Sequence, residues 1–187
     1  MRPHNAIQAA GLALGACFLA GQAPAALAVG DVAPDFSVPA ALGGKEFRFS
    51  LSDALRHGPV VVYFYPKSFT HGCTIEAHEF AEAAADFSKA GASLIGVSAD
   101  PIDTQLKFST QECRDKFPIA ADPGLGVIRA FDSVRAAGPT PAGPMADRIS
   151  YVISTDGKVG YVYSDRTPEK HVELTLAFVR KLHGHAR

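Results

Sequence analysis

The stretch from Val61 to Phe80, VVYFYPKSFTHGCTIEAHEF, constrains this chain more than any other, because it changes hydrophobic period around one cysteine. Val61 through Tyr65 are β-branched or aromatic without polar interruption, the pattern of a strand covered on both faces, and Pro66 ends it by removing a ladder donor. From Thr74 onward Ala77, Phe80, Ala81, Ala84 and Phe87 recur at helical spacing, so the chain turns from strand to helix across residues 67–72. Cys73 therefore opens a helix expected over residues 73–90, where unpaired backbone N–H groups and the macrodipole favour a thiolate over a thiol. The competing role for a lone Cys is that of a small buried hydrophobe. Polar neighbours at Thr70, His71, Gly72, Thr74 and Glu76 favour the reactive one.

The rest of the chain arranges itself around that helix. Residues 29–36, VGDVAPDF, are too rich in turn formers for regular structure; Gly43-Gly44 signals a turn, and Phe47, Phe49 and Leu51 alternate with polar residues as a short strand before a helical turn at 52–57. Gly91 stops the Cys73 helix, and Leu94, Ile95 and Val97 form the next buried strand, which makes a β-α-β unit with parallel strands. Ile102, Leu106 and Phe108 begin a second helix that must finish before Phe117-Pro118, with Cys113 near its end. A short third helix carries Leu125, Ile128, Ala130 and Phe131, and residues 136–146, crowded with Gly and Pro, read as a loop. Ile149, Tyr151 and Ile153 form a strand; Asp156-Gly157 makes a two-residue hairpin turn, and Val159, Tyr161 and Tyr163 return antiparallel. Thr167 is expected to cap the last helix, with Pro168 at its first position and Val172, Leu176 and Val179 on its packing face. This order outlines an α/β fold, a thioredoxin-like three-layer sandwich with a central mixed sheet.

The N-terminus reads differently from the rest. Arg2 supplies a positive start, Ala6 to Ala20 is almost wholly apolar, and Ala26-Leu27-Ala28 is a small-x-small site ahead of Val29. Residues 1–28 are thus expected to be a cleavable secretory signal, leaving one domain at 29–187 exported to the periplasm. Leu14-Gly15-Ala16-Cys17 also resembles a lipobox, whose cysteine would be the lipidated N-terminus of an anchored protein, but the apolar run continues past Cys17. Of three cysteines, Cys17 leaves with the signal, so the mature protein keeps Cys73 and Cys113, either as a structural disulfide or as a redox pair. The 187 residues carry a net charge of -1 with no long like-charged block, which gives no electrostatic footprint for nucleic acid or an acidic membrane surface.

Pro66, Thr70 and Cys73 spell P-x-x-x-T-x-x-C, which resembles the peroxidatic-cysteine motif of the peroxiredoxins; YFYPK, GCT and Glu76 are similar to their bacterioferritin-comigratory, or Q-type, subfamily, and residues 30–36 to their G-x-x-A-P-D-F opening. The resemblance implies a thiol-dependent peroxidase that reduces hydrogen peroxide and small organic hydroperoxides through a Cys73 sulfenic acid, with no metal or organic cofactor. It implies a thioredoxin-like or other thiol as reductant, and a monomer or weak homodimer. It also assigns roles. Arg148, at the start of the strand after the long loop, matches the family arginine that stabilises the thiolate and the departing oxygen. Thr70 is the hydroxyl that donates to peroxide or thiolate, Pro66 shields the site from water, and Glu76 orients the arginine unless it is a plain exposed carboxylate. Many Q-type members have a resolving cysteine five residues after the nucleophile, where this chain has His78. Cys113 falls in the region where other members carry it; otherwise the enzyme is a one-Cys type reduced by an external thiol.

Two other functions compete. His71, Cys73 and His78 are ligand types suited to copper or zinc, but H-x-C-x4-H fits no closed site, and exported copper-binding chaperones of this fold carry two cysteines near the helix start. An exported thiol-disulfide oxidoreductase needs C-x-x-C, and the second thiol position is Glu76.

Overall fold

The computed structural model describes residues 26–135 and 143–185. The expected signal segment through residue 25, Cys17 within it, and most of the loop expected at 136–146 lie outside the described residues. The elements are β1 (Ser37–Leu42), β2 (Lys45–Ser50), α1 (Leu51–Leu55), β3 (Val60–Phe64), α2 (His71–Lys89), β4 (Ser93–Ser98), α3 (Ile102–Gln111), β5 (Ile119–Ala121), α4 (Gly126–Ala130), β6 (Ile149–Ile153), β7 (Val159–Ser164) and α5 (His171–His185). The strands form one mixed sheet in the order β2-β1-β5-β4-β3-β6-β7. β3, β4 and β5 are parallel, while β1, β2, β6 and β7 join antiparallel at the two sides.

All five β3 residues are buried, because alternate side chains feed two cores. Val60, Val62 and Phe64 pack with Leu51 of α1 and Val127 and Ile128 of α4; Val61 and Tyr63 pack on the other face with Cys73, Ala77 and Phe80 of α2, Phe108 of α3 and Val179 of α5. Helices thus cover both faces of the sheet, giving the three-layer thioredoxin-like fold.

The register carries the functional consequence. Ile149 of β6 pairs with Phe64 of β3 and with Ser164 of β7, so the end of β3, the start of β6 and the end of β7 meet at one edge of the sheet. β4 runs parallel to β3 and brings Ser98 to the same edge. Loops after β3, β4 and β7, and the residue before β6, therefore surround the first turn of α2.

Several boundaries depart from the sequence reading. α2 begins at His71, two residues before Cys73, with Thr70 as its N-cap. The sequence reading missed β1 because it is small-residue rich and holds Pro39, and β5 because three residues carry no periodicity. The β6–β7 turn is three residues long, not two: Gly157 N–H donates to Ser154 O at 2.9 Å, Gly157 has φ 77°, and Ser154 N–H donates to Lys158 O at 2.9 Å. That is a type I turn closed by a glycine bulge. Thr167 does not cap α5, which starts later at His171; its N–H and hydroxyl both bond Asp165 Oδ1, at 2.9 and 3.0 Å. Cys113 lies just beyond the C-cap of α3, Glu112.

Candidate active site

The loop leaving β3 is held by a buried polar network. Tyr65 hydroxyl donates to Gln105 Oε1 at 3.0 Å, Ser68 hydroxyl donates to the same oxygen at 3.0 Å, and Ser68 N–H donates to Asp100 Oδ2 at 2.8 Å. Gln105 Nε2 in turn donates to Ser98 Oγ at 2.8 Å and to Ala120 O at 3.0 Å. The amide of Gln105 thus ties α3 and the sheet to the loop. Phe69 takes a left-handed conformation, φ 63°, and stays half exposed with its ring edge-on to Phe108. Such strain in a non-glycine residue persists only where its surroundings fix it.

Thr70 caps α2 through its backbone: Thr74 N–H donates to Thr70 O at 2.9 Å. Its hydroxyl, expected to donate to peroxide or thiolate, here donates to Lys67 O at 2.9 Å. The one hydroxyl proton is engaged in the loop, and what the side chain offers a guest is its lone pairs. Pro66, half-buried, heads this loop.

Cys73 is the third residue of α2 and is 2% exposed. Arg148, directly before β6, reaches it across the sheet edge: Nη2 donates to Cys73 Sγ at 3.4 Å, Nε donates to Arg166 O at 3.1 Å, and Nη1 donates to Glu76 Oε2. A side chain at position 72 would place its Cβ 3.3 Å from Arg148 Nη2, so Gly72 lets the guanidinium approach the helix start. Burial works against the Arg148 charge, but Glu76 and Cys73 offset it and hold the group above its ordinary value. Glu76 is fully buried, not the exposed helix carboxylate that was its alternative. Burial pushes its carboxyl up to about 8, with Arg148 pulling the other way.

Behind this trio lies a part of the site that no sequence signal pointed to. His171 and Ser150 are both fully buried. His171 Nε2 is 3.0 Å from Asp165 O, which can only accept, so that nitrogen carries the proton; Nδ1 then accepts from Ser150 hydroxyl at 2.8 Å. Burial lowers His171 to about 4, so the ring is neutral. His171 Nδ1 lies 3.8 Å from Glu76 Oε1. The inward alternation of β6 placed Ser150 on the α2 side, but nothing in the residues around 171 announced a site histidine.

Cys113 is fully buried and its thiol is pushed well up, first by burial and then by Glu112 and Asp115. Its segment is clasped to α2. His78 Nε2 lies 2.7 Å from Glu112 Oε2, and Arg114 Nη1 lies 3.3 Å from Glu82 Oε1. The next two residues, Arg114 and Asp115, both have positive φ, at 50° and 57°. Tyr63, with a buried hydroxyl lacking a partner, is raised by burial first and then by Cys113, Tyr65, Glu76 and Cys73, which places it within reach of both cysteines' fields. Among the described residues no group of three or more His, Cys, Asp or Glu is arranged to hold a metal ion.

The AhpC/TSA family pattern matches residues 29–162, which include every residue of the site except those after β7. Peroxiredoxin Bcp of Escherichia coli K12 is 31% identical over 158 residues, covering 83% of this chain and 97% of that one. The chloroplastic peroxiredoxin Q of Oryza sativa subsp. japonica is 33% identical over 157 residues, covering 82% and 67%. Among solved structures, peroxidoxin BcpB from Mycobacterium tuberculosis superposes with a TM-score of 0.73 at 34% identity, covering 82% of this chain and 97% of the other.

Proposed function

Because this chain belongs to the AhpC/TSA family, with peroxiredoxins of the Bcp and Q kind as relatives, we propose that Cys73 is the nucleophile of a thiol-dependent peroxidase acting on hydrogen peroxide and small organic hydroperoxides. The observation that carries this role is Arg148, whose fork of donors is shared between Cys73 Sγ and Glu76. A buried guanidinium fixed at the sulfur stabilises a thiolate and then the charge that grows on the departing oxygen. The thiolate attacks one peroxide oxygen and the O–O bond breaks. Sulfur gives up two electrons and becomes a sulfenic acid, while the other oxygen leaves as water or alcohol. Thr70, its proton engaged with Lys67 O, meets the peroxide as an acceptor of the peroxide hydrogen. A dithiol oxidoreductase lacks its second thiol, because Glu76 occupies that position and bonds Arg148. Cys73→Ser should abolish peroxide consumption with the fold retained, since it removes the nucleophile and little volume. Turnover by the purified variant would refute the role.

The sulfenic acid is resolved by Cys113, and an external thiol then reduces the disulfide. Support comes from the position of Cys73 in a terminal helical turn, a place where a chain opens at low cost. The protein is exported and cleaved after Ala28. The basic start, the apolar segment and the Ala26-Leu27-Ala28 site support this.

A further inference from the structure

The cluster at Cys73 has one cation for two acids. Arg148 faces Cys73 Sγ with Nη2 and Glu76 Oε2 with Nη1, and its Nε is committed to Arg166 O. A thiolate and a carboxylate ionised together would leave an uncompensated negative charge in a place almost closed to water, which is costly. The second carboxyl oxygen points the same way. Glu76 Oε1 has no hydrogen-bond partner, and the group 3.8 Å from it, His171 Nδ1, has no proton to give. A buried carboxylate needs donors on both oxygens, whereas a carboxylic acid protonated on Oε1 carries no charge there. The ionisable groups around Glu76 are Arg148 directly before β6, Glu79 on the same helix, Tyr63 on β3 and His171 on α5, and Cys73 shares Arg148 with it. Of these, Arg148 is the one cation.

We propose that Glu76 is the proton partner of Cys73: the two acids around Arg148 hold one proton between them, and Cys73 becomes a thiolate as Glu76 becomes a carboxylic acid. The proposal rests on the reading of Cys73 as the peroxide nucleophile. In the first step, as a net exchange, the Sγ–H bond breaks and an O–H bond forms on the Glu76 carboxyl, with no change in oxidation state and no net proton leaving the unit. In the second, sulfur displaces the peroxide O–O bond, and the departing oxygen takes up one proton to leave as water or alcohol. The unit ends as a sulfenic acid beside a Glu76 carboxylate, so protons, charge and electrons balance. Glu76 is thereby more than a group that aims Arg148. It sets when the nucleophile exists and supplies the proton that its product needs.

Infrared spectra of the reduced full-length protein at neutral pH test this. Wild type should show a carboxylic-acid carbonyl band that Glu76→Gln lacks, and in Cys73→Ser that band should titrate at lower pH, because no thiolate opposes ionisation of Glu76. Glu76→Gln keeps an acceptor for Arg148 but no transferable proton, and its peroxide rate should fall about 10²-fold, the range of general acid catalysis. Absence of the wild-type band, a band with the same titration in Cys73→Ser, or an undiminished rate in Glu76→Gln would each overturn the proposal. Should Glu76→Gln fold poorly, the wild type and Cys73→Ser pair decides alone. Peroxide turnover by Cys73→Ser is a separate outcome, which refutes the nucleophile itself.

Discussion

At the scale of single residues, the chemistry depends on geometry as much as charge. Arg148→Lys keeps a cation but loses the fork that reaches Cys73, Glu76 and Arg166 O together, and stopped-flow peroxide rates should fall by roughly 10²-fold. An unchanged rate would mean another group stabilises the departing oxygen. Glu76 and His171 link stability to pH with opposite signs. Glu76, raised to about 8, contributes stability that is complete below about 4.5 and lost as pH rises through 8. His171, lowered to about 4, contributes stability present above 6.5 and lost as pH falls toward 4, at most about 3 kcal/mol. In urea unfolding, His171→Gln should therefore lose less stability than wild type between pH 6.5 and 4.5; an identical pH profile would show that the ring does not titrate on unfolding. Cys73 was legible in the sequence because a motif ties it to a helix start, and Arg148 and Glu76 were legible through the family resemblance which that motif carries. His171 was not, since its role comes from the way β7 and α5 return to the same sheet edge, and no local pattern records that.

Among the elements, α2 and the end of α3 matter most, because the proposed resolution by Cys113 would require them to part. The clasp between them is polar and partly exposed, His78 to Glu112 and Arg114 to Glu82, while Cys113 itself is buried in apolar surroundings. Peptide mapping after one equivalent of peroxide, without added thiol, should find an intrachain Cys73–Cys113 disulfide. His78→Ala should make it form several-fold faster by loosening the clasp. Sulfenic or sulfinic Cys73 with Cys113 free would leave resolution to an external thiol. The elements β3, α2 and β4 could be read from the residues, the two strands as uninterrupted apolar runs and the helix from its repeat at 3.6. β1, β5 and the start of α5 could not: they depend on pairing partners distant in sequence, and Asp165 rather than Thr167 organises the turn before α5.

For the whole molecule, the sheet order explains why residues as distant as Cys73, Asp100, Arg148 and His171 converge: three strand ends and one strand start share an edge. The proposed export signal belongs to this scale too, and N-terminal sequencing of protein from its native compartment should read from Val29. An intact Met1 or a lipidated Cys17 would contradict cleavage after Ala28. The central claim is that Cys73 is oxidised by peroxide at the Arg148 fork. Its most direct test is the intact and peptide mass of Cys113→Ser after one equivalent of hydrogen peroxide in the presence of a sulfenic-acid trap. The expected result is one trap adduct per chain, confined to Cys73; peroxide consumed with Cys73 unmodified would contradict the account.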